Sequence, residues 1–503
     1  MIVHITHRKF YLTYVIGLLL LVFIWGFSAQ PSFANIHANV DVNVKETGEP
    51  NTAKILSFMQ AIKAAQTNDP WLTGNLHQQR AIESMSIAAN TLPDPKVTLS
   101  LANLPTNGFD FSQEGMTQAK IGIAQVFPRG DTLSIKSEQL SIESEAFVLQ
   151  RQDRVAKVAV TVGSLWLDAF RVQQSIALIN KNSMLFEQLA DVAQASYSSA
   201  LGKTRQQDIV RAQLELTRLE DRLGQLAQQQ NHYQGMLSQW LTQFAASNES
   251  TEGIALNTRS LQNTVLSQQL PKIALTKVRG LDMQSELTAA QLVHYLSKHP
   301  AVVAIDKKIG ASNTGIKLAE QKYQSQWGVN ASYGYRADDA MGSSRADLFS
   351  IGVSFDLPLF TENKQDRTVQ SAIFKTEAVK TKKLLLLRQL IGAYSSAKGR
   401  LQQLKERQAL YSTRLLPQIH DQAEASLTAY TNDDGDFAEV VRARIAVLNA
   451  EIEQLALNVE QQKLHLELNY LFLASIDGTA KPMTLNQKHD MNSGQHTTIS
   501  GEK

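Results

Sequence analysis

The sequence predicts a mainly helical protein with a small β part, built from two copies of a unit in which two strands are followed by a long helical hairpin. Pro70 returns as Pro300 and Pro128 as Pro358, each 230 positions later. A third motif, at the predicted tips of the hairpins, recurs 231 positions later. A period that holds at separated points indicates an internal repeat, which decides the architecture. Only 12 of the 503 residues are proline, and this favours long helices.

Residues 1–34 predict a secretory signal peptide. A basic start is followed by an apolar run at 10–27 and by Ser-Phe-Ala at 32–34, a small-x-small cleavage site. An apolar run of about 18 residues can also serve as a membrane anchor, but the cleavage site favours export. The mature chain is therefore expected to begin near Asn35.

The first unit spans residues 35–245. Apolar and polar residues alternate at about 96–103 and 117–127, which predicts two strands that each have one apolar face. From about 131 to 244 the sequence predicts a helical hairpin, because nothing interrupts a helix before the turn that contains Gly202.

The second unit, 287–475, repeats this order. We expect strands at about 326–336 and 347–357 and a hairpin at about 362–473, whose first helix is interrupted at Pro417. Two segments lie outside the units: a linker or equatorial segment at 246–286 and a polar tail at 476–503.

The second helix of each hairpin has apolar residues at alternating spacings of three and four, which predicts a coiled-coil seam. One polar residue interrupts the apolar spacing of each seam: Gln230 in the first and Gln462 in the second. We expect the seam residues to be buried core. They are Ile209, Ala212, Leu216, Leu219, Leu223, Leu226, Tyr233 and Leu237 in the first unit, and Val441, Ile445, Leu448, Ile452, Leu455, Val459 and Leu466 in the second.

Composition excludes several function classes. The net charge of +2 gives no electrostatic argument for nucleic acid. The absence of cysteine excludes disulfides, thiolate metal sites, catalytic cysteines and a lipid anchor on an N-terminal cysteine. The 11 histidines are scattered, and Gly-Lys-Thr at 202–204 lacks the upstream glycine of a phosphate-binding loop. We therefore expect no enzymatic activity, no catalytic residue, no metal site, no cofactor and no nucleic-acid partner.

The four strands of one chain cannot close a barrel, and lipid does not tolerate an open sheet edge. An eight-stranded barrel is filled by side chains, so an open pore needs at least three chains and twelve strands. A small soluble sheet is the alternative. Aromatic residues near the strand ends favour the membrane barrel, in the manner of an aromatic girdle; they are Trp327, Tyr333, Tyr335 and Phe349.

Several segments together resemble the TolC-type outer-membrane efflux factors, over roughly residues 53–475. They are Leu-Pro-Asp-Pro at 92–95, residues 116–131 with Gln-Val-Phe-Pro-Arg-Gly at 125–130, Ser-Phe-Asp-Leu-Pro-Leu-Phe at 354–360, and a tyrosine followed five residues later by glycine at both tips. Leu-Pro-Asp-Pro and Phe-Pro-Arg-Gly-Asp look closer to the heavy-metal branch, in the manner of CzcC and CusC. Many members of that branch carry a lipid-modified cysteine, which this chain lacks.

The resemblance implies a homotrimer in the outer membrane of a Gram-negative bacterium. Its twelve-stranded β-barrel would contact outer-membrane lipid and continue into an α-helical coiled-coil tunnel across the periplasm. The implied partners are a periplasmic adaptor (membrane fusion) protein and an inner-membrane RND-type pump. The implied function is a passive exit duct for metal ions or small toxic compounds, including a role in heavy-metal resistance. Two alternatives stay open: the duct of a type I polypeptide secretion system, and an exported coiled-coil structural protein.

Three acidic residues at the second tip, Asp433, Asp434 and Asp436, are candidates for a ring at the periplasmic entrance. In a trimer they would give nine carboxylates around one axis, which favours cations. The alternative is helix capping, since an aspartate before a helix accepts backbone N–H bonds.

Residues around both tips are candidates for adaptor docking. They are Tyr197, Gly202, Asp208 and Arg211 at the first tip, and Tyr430, Gly435, Glu439 and Arg442 at the second. The alternative is turn geometry, in which the glycine supplies a left-handed conformation and the tyrosine packs against the neighbouring helix.

Overall fold

A computed structural model describes residues 54–198, 206–246, 254–257, 264–276, 287–339, 341–432 and 435–473. The predicted signal peptide, the tail and three candidate site residues, Gly202, Asp433 and Asp434, lie outside the described residues. No helix in the described part of the chain combines the length and the apolar character needed to span a membrane.

The described elements follow the predicted order in both halves. The first half contains β1 (Lys54–Leu56), α1 (Phe58–Thr67), α2 (Pro70–Ala89), β2 (Lys96–Ala102), β3 (Gln118–Phe127), α3 (Thr132–Ser198) and α4 (Gln206–Leu241). The connection contains β4 (Gln243–Ala246), β5 (Ile254–Asn257) and β6 (Thr264–Leu266). The second half contains α5 (Ala289–Leu296), α6 (Pro300–Glu320), β7 (Trp327–Tyr335), β8 (Leu348–Phe355), α7 (Gln365–Leu410), α8 (Leu416–Thr431) and α9 (Phe437–Leu471).

One of the recurring proline pairs, Pro70 and Pro300, marks the first residue of a helix in both halves. Asp69 precedes Pro70 and caps α2, accepting from Trp71 N at 3.1 Å. His299 precedes Pro300 and caps α6 through its Nδ1. Proline suits the first helical position, where its missing N–H would have no partner in the helix.

The predicted interruption of the long helix at Pro417 takes the form of a π-helical turn at Tyr411–Leu415, between α7 and α8. Proline lacks an N–H and its ring clashes with the carbonyl four residues earlier. One wider turn removes that clash while the helix axis continues.

The linker contains strands that the sequence did not predict. β4 pairs with β5, and β6 pairs in parallel with β1. The helical periodicity of residues 55–89 predicts a helix from Ile55 onward, and this prediction is wrong at Ile55, which lies in β1. The pair is fixed by Trp166, whose indole donates to Leu56 O at 3.2 Å, and by Gln173, whose side chain bonds both N and O of Leu266 at 3.0 Å. Contacts between distant segments, rather than local periodicity, decide this strand.

The residues of the predicted seams of α4 and α9 are buried or half-buried, and all of them pack in or against two apolar clusters. Towards the hairpin tips, Leu219 and Leu448 belong to one buried cluster with α3 residues such as Phe186. Nearer the strands, Leu237 and Val459 pack around Trp166. Gln462, the polar residue that interrupts the second seam, is buried and accepts a hydrogen bond from Ile273 N at 2.7 Å. It therefore makes a polar contact with the connecting segment.

A buried polar cluster links the cap of α6 to the end of α9. His299 is 1% exposed, accepts from Ala301 N through Nδ1 at 3.2 Å and donates from Nε2 to Tyr470 O at 3.2 Å. Tyr470 donates to Asp153 at 2.7 Å, and Lys157 pairs with the same carboxylate at 2.7 Å. Burial is the main cause that lowers the pKa of His299 and raises the pKa of Tyr470.

Candidate functional surfaces: the sheet and the hairpin tips

The four long strands form one antiparallel sheet in the order β2-β3-β7-β8. Its central pair joins a strand of the first half to a strand of the second, with Ile121 opposite Tyr333. β2 and β8 are the edges, and within the described residues each has a partner on one side only.

One side of the sheet, the apolar sheet face, is continuous. The register places the following side chains on it: Val97, Leu99, Leu101, Ala119, Ile121, Ile123, Phe127, Trp327, Val329, Ala331, Tyr333, Tyr335, Phe349, Ile351, Val353 and Phe355. Gln125 is the one polar residue of this face within the described strands. Large side chains on it are exposed, as Leu99 at 76% and Phe349 at 70% show. An apolar surface of this extent marks a contact with lipid or with another chain.

Aromatic rings lie at both ends of the apolar sheet face. At the end where strands meet helices, Trp327 packs on Phe355 with ring centroids 4.8 Å apart. At the loop end, Tyr335 stacks on Phe111 at 6.4 Å. Rings with a polar atom suit the boundary between an apolar layer and water.

The opposite side, the polar sheet face, carries mainly small and polar residues, with Val126 and Leu348 as large apolar residues near its ends. Its members include Lys96, Thr98, Ser100, Gln118, Lys120, Asn330, Ser332, Ser350 and Ser354, with glycines between them. Each long strand therefore presents one side suited to lipid and one suited to water.

Arg129 and Asp356 join the two halves where the sheet meets the helices. The two residues form an ion pair, although they lie far apart in the sequence. Arg129 also donates to Gln324 O at 2.6 Å, and Asp356 accepts from Gln326 N at 2.7 Å. Both residues stand in segments that carry the resemblance to a known family, but sequence reasoning missed their contact, which no local pattern indicates.

The helices next to the two hairpin tips pack together in the described part of the chain. Ile179 and Phe186 of α3, Leu219 of α4, and Phe437 and Leu448 of α9 belong to one buried cluster. The structure thus brings the described members of the two sets of candidate docking residues to the same end of the helices.

At the second tip, the observed contacts are those of a helix start and a tight turn. The side chain of Asp436 accepts from Ala438 N at 3.1 Å and caps α9. The ring of Tyr430 meets Phe437 edge-on at 5.5 Å. A Cβ at Gly435 would lie 2.5 Å from Tyr430 N, so the turn requires glycine. The capping alternative therefore describes Asp436, and Tyr430 packs as the turn alternative expects. Gly435 is required by its close approach to Tyr430 and not by a left-handed conformation.

The charged candidates differ in exposure. Glu439 and Arg442 form an ion pair at 3.0 Å on the surface of α9. Asp208 is 5% exposed in the first turn of α4, whereas Arg211 is exposed. Tyr197 is 49% exposed, unlike its counterpart Tyr430. Tyr197, Arg211 and Arg442 are thus the candidates that the surface offers to a partner.

Neither surface contains a candidate metal site among its described residues. In the described ranges, no three His, Asp or Glu side chains are arranged so that they could hold a metal ion.

The fold is that of solved outer-membrane channels. The chain is similar to the outer membrane protein VceC from Vibrio cholerae, with a TM-score of 0.64 and 13% identity, covering 82% of this chain and 95% of that chain. It is similar to the CmeC outer membrane channel of Campylobacter jejuni, with a TM-score of 0.64 and 11% identity, covering 84% and 86%. For CusC the TM-score is 0.62 at 13% identity, covering 86% and 95%. No protein-family model matches the chain, and no curated protein matches its sequence.

These comparisons confirm the resemblance to TolC-type channels as a likeness of fold. CusC is one of several neighbours with similar scores, so the likeness does not single out a heavy-metal branch.

Proposed function

We propose that this chain is the outer-membrane duct of an export system, located in the outer membrane of a Gram-negative bacterium and extending into the periplasm. The observation that carries the proposal is the sheet, with its exposed apolar face, its polar face and its two open edges. Lipid does not satisfy free backbone N–H and C=O groups, so such a sheet enters a membrane only when its edges are paired. Three copies would supply the twelve strands of a barrel wide enough for a pore.

The helices supply the rest of the duct. α3 has 67 residues, about 100 Å at 1.5 Å per residue, which suits a tunnel that crosses the periplasm. The packed tips would meet a periplasmic adaptor and, through it, an inner-membrane pump. The duct itself is passive, without enzymatic activity, and carries small toxic compounds or metal ions.

Oxidative crosslinking tests the shared barrel directly, because the chain has no cysteine of its own. Thr98→Cys on β2 is combined in turn with cysteine at Ser350, Gly352 or Ser354 on β8. Within one chain these strands are separated by two others, about 14 Å, too far for a disulfide. Covalent dimers and trimers are expected for at least one combination, in detergent-purified protein that light scattering shows to be a trimer.

The matched control combines Thr98→Cys with Ser332→Cys on β7, an inner strand whose two neighbours are already in place. This pair should not crosslink. A stable monomer, or β2–β8 yields no higher than the control, would overturn the shared barrel and favour the exported structural protein. A type I secretion duct would instead give the same crosslinks and copurify with an ABC transporter.

A further inference from the structure

The polar sheet face has an unbalanced charge. Within the four described strands its only charged side chains are Lys96 and Lys120, and it carries no Asp or Glu. By register, Lys120 lies between Ser100 and Gly334, and Lys96 lies opposite Ala124. No carboxylate on the same face is therefore placed to neutralise either ammonium group.

Some lysines on the helices, by contrast, have carboxylate partners. Lys463 pairs with Asp168 at 3.0 Å and Lys383 pairs with Asp306 at 2.7 Å. Among the residues that the structure describes, Lys96 and Lys120 make no ion pair and no side-chain hydrogen bond. Their charge is thus available to whatever fills the space above the polar sheet face.

Small residues keep that space open. The side chain of Asn330 lies over Gly352, where an added Cβ would be 2.8 Å from Asn330 Oδ1. The hydroxyl of Ser354 lies over Gly328 in the same way, at 2.7 Å. Polar side chains therefore lie flat along the sheet, and the two lysines are the long side chains that can reach beyond this layer.

The lysines lie at two levels. Lys96 pairs with Ala124, four residues along β3 from Lys120, which corresponds to about 14 Å at roughly 3.4 Å per residue. Lys120 is near the loop end of the sheet and Lys96 is near the helices.

We propose that Lys96 and Lys120 select for anions in the strand section of the duct, which narrows the proposed cargo to anionic or neutral small solutes and disfavours free metal cations. This inference rests on the proposed trimer, in which the polar sheet face lines the pore and the lysines form two rings of three. Rings of lysine favour anions in the same way that rings of carboxylate favour cations. The low-dielectric wall of a membrane pore focuses their field, and screening at physiological salt has a length of about 8 Å.

The acidic tip makes no contribution to this section. Asp436 lies at the opposite end of the helices from the sheet, many screening lengths from Lys96. The two sets of charges can therefore be changed separately.

The test measures the chloride-to-potassium permeability ratio from the reversal potential of the trimer in planar bilayers under a KCl gradient. The Lys96→Gln, Lys120→Gln double variant should lower this ratio at least about twofold. Lys96→Glu, Lys120→Glu should lower it further, and Lys96→Arg, Lys120→Arg should restore the wild-type value because the charge is kept.

The matched control is Lys63→Gln on α1, an exposed lysine far from the sheet, which should leave the ratio unchanged. An unchanged ratio in both the glutamine and the glutamate variants, with normal trimer and conductance, would overturn the inference while leaving the duct intact. A wild-type trimer without conductance would overturn the proposed function and the inference together.

Discussion

At the scale of single residues, Asp436 has a structural role at the second tip. Asp436 caps α9 through Ala438 N. Asparagine caps a helix about as well as aspartate, whereas alanine costs about 1 kcal/mol. Capping and charge can therefore be separated by the choice of substitution.

Replacing Asp433, Asp434 and Asp436 together by asparagine should leave trimer assembly intact and weaken block by multivalent cations added at the periplasmic side in planar bilayers. The reason is that the cap survives while nine formal charges disappear from the trimer. Asp436→Ala alone is the comparison, since it removes the cap and only three charges. Its main effect should be faster hydrogen exchange in the first turn of α9. If block of the triple variant equals that of the wild type, the acidic turn is a cap and not a selectivity ring.

His299 makes the junction of α6 and α9 sensitive to acid. Its Nδ1 accepts from Ala301 N and its Nε2 donates to Tyr470 O, so its contacts fit the neutral ring. Asp153 and Lys157 are the charged groups that face it, and burial outweighs the carboxylate and lowers the pKa of His299 below its ordinary value of 6.5. The unfolded chain thus binds more protons than the folded chain once pH falls below that value.

Stability against thermal unfolding, followed by circular dichroism, should therefore be full above pH 6.5 and fall as the pH decreases from there towards the lowered pKa of the folded state. His299→Asn keeps an acceptor at the cap and removes the titrating ring. The variant should show a flatter pH dependence over this window. An equal loss of stability in both proteins would place the acid-sensitive group elsewhere.

At the scale of elements, the seams of α4 and α9 hold the hairpins together. Leu219→Asp, or Ile452→Asp in the second seam, should prevent trimer assembly, because an unpaired buried carboxylate costs several kcal/mol. Leu219 is 7% exposed in the cluster that joins the two hairpins, and Ile452 packs against it. Size-exclusion chromatography gives the trimer yield. Gln229→Asp, at an exposed position of the same helix, is the control and should assemble normally.

Elements with a local period could be predicted from the sequence. The alternation that predicted strands near 96–103 and 347–357 is present as β2 and β8, and the spacing of three and four residues predicted which side of α4 is buried. β1 could not be predicted, because three residues have no period and their partner strand lies in the connection. The pairing of Arg129 with Asp356 was also out of reach, since each residue separately looks like an ordinary strand end.

The candidate site divides in the same way. The glycines indicated where the tips turn, and at the second tip a Cβ on Gly435 would meet Tyr430 N. The lysines of the polar sheet face could have been found from strand parity, because Lys96 and Lys120 occupy alternate positions to the apolar residues. They were missed because a single lysine in a strand has no motif. Their common side appears only when the register of β2 against β3 is known.

At the scale of the whole molecule, the sheet is unfinished in a single chain. β2 and β8 each have one open edge in the described strands, so a lone chain exposes both a template for unwanted pairing and a large apolar face. In the proposed trimer every contact between chains in the barrel would pair the β8 edge of one copy with the β2 edge of the next. Assembly would then require three copies with intact edges, because a ring in which one of these contacts cannot form stays open.

That requirement has a genetic consequence. A variant that folds but has one strand edge that cannot pair should be dominant over the wild type. At equal expression, random mixing leaves only about one trimer in eight without a variant copy. Ser350→Pro and Ile351→Pro are suitable alleles, because consecutive N–H groups of β8 point alternately to β7 and to the open edge. Only the allele that removes an outward N–H should be dominant, as measured by the recovery of conducting trimers from cells that express both forms. In cells that express both forms, a defect in one gene copy would then remove most of the functional channels.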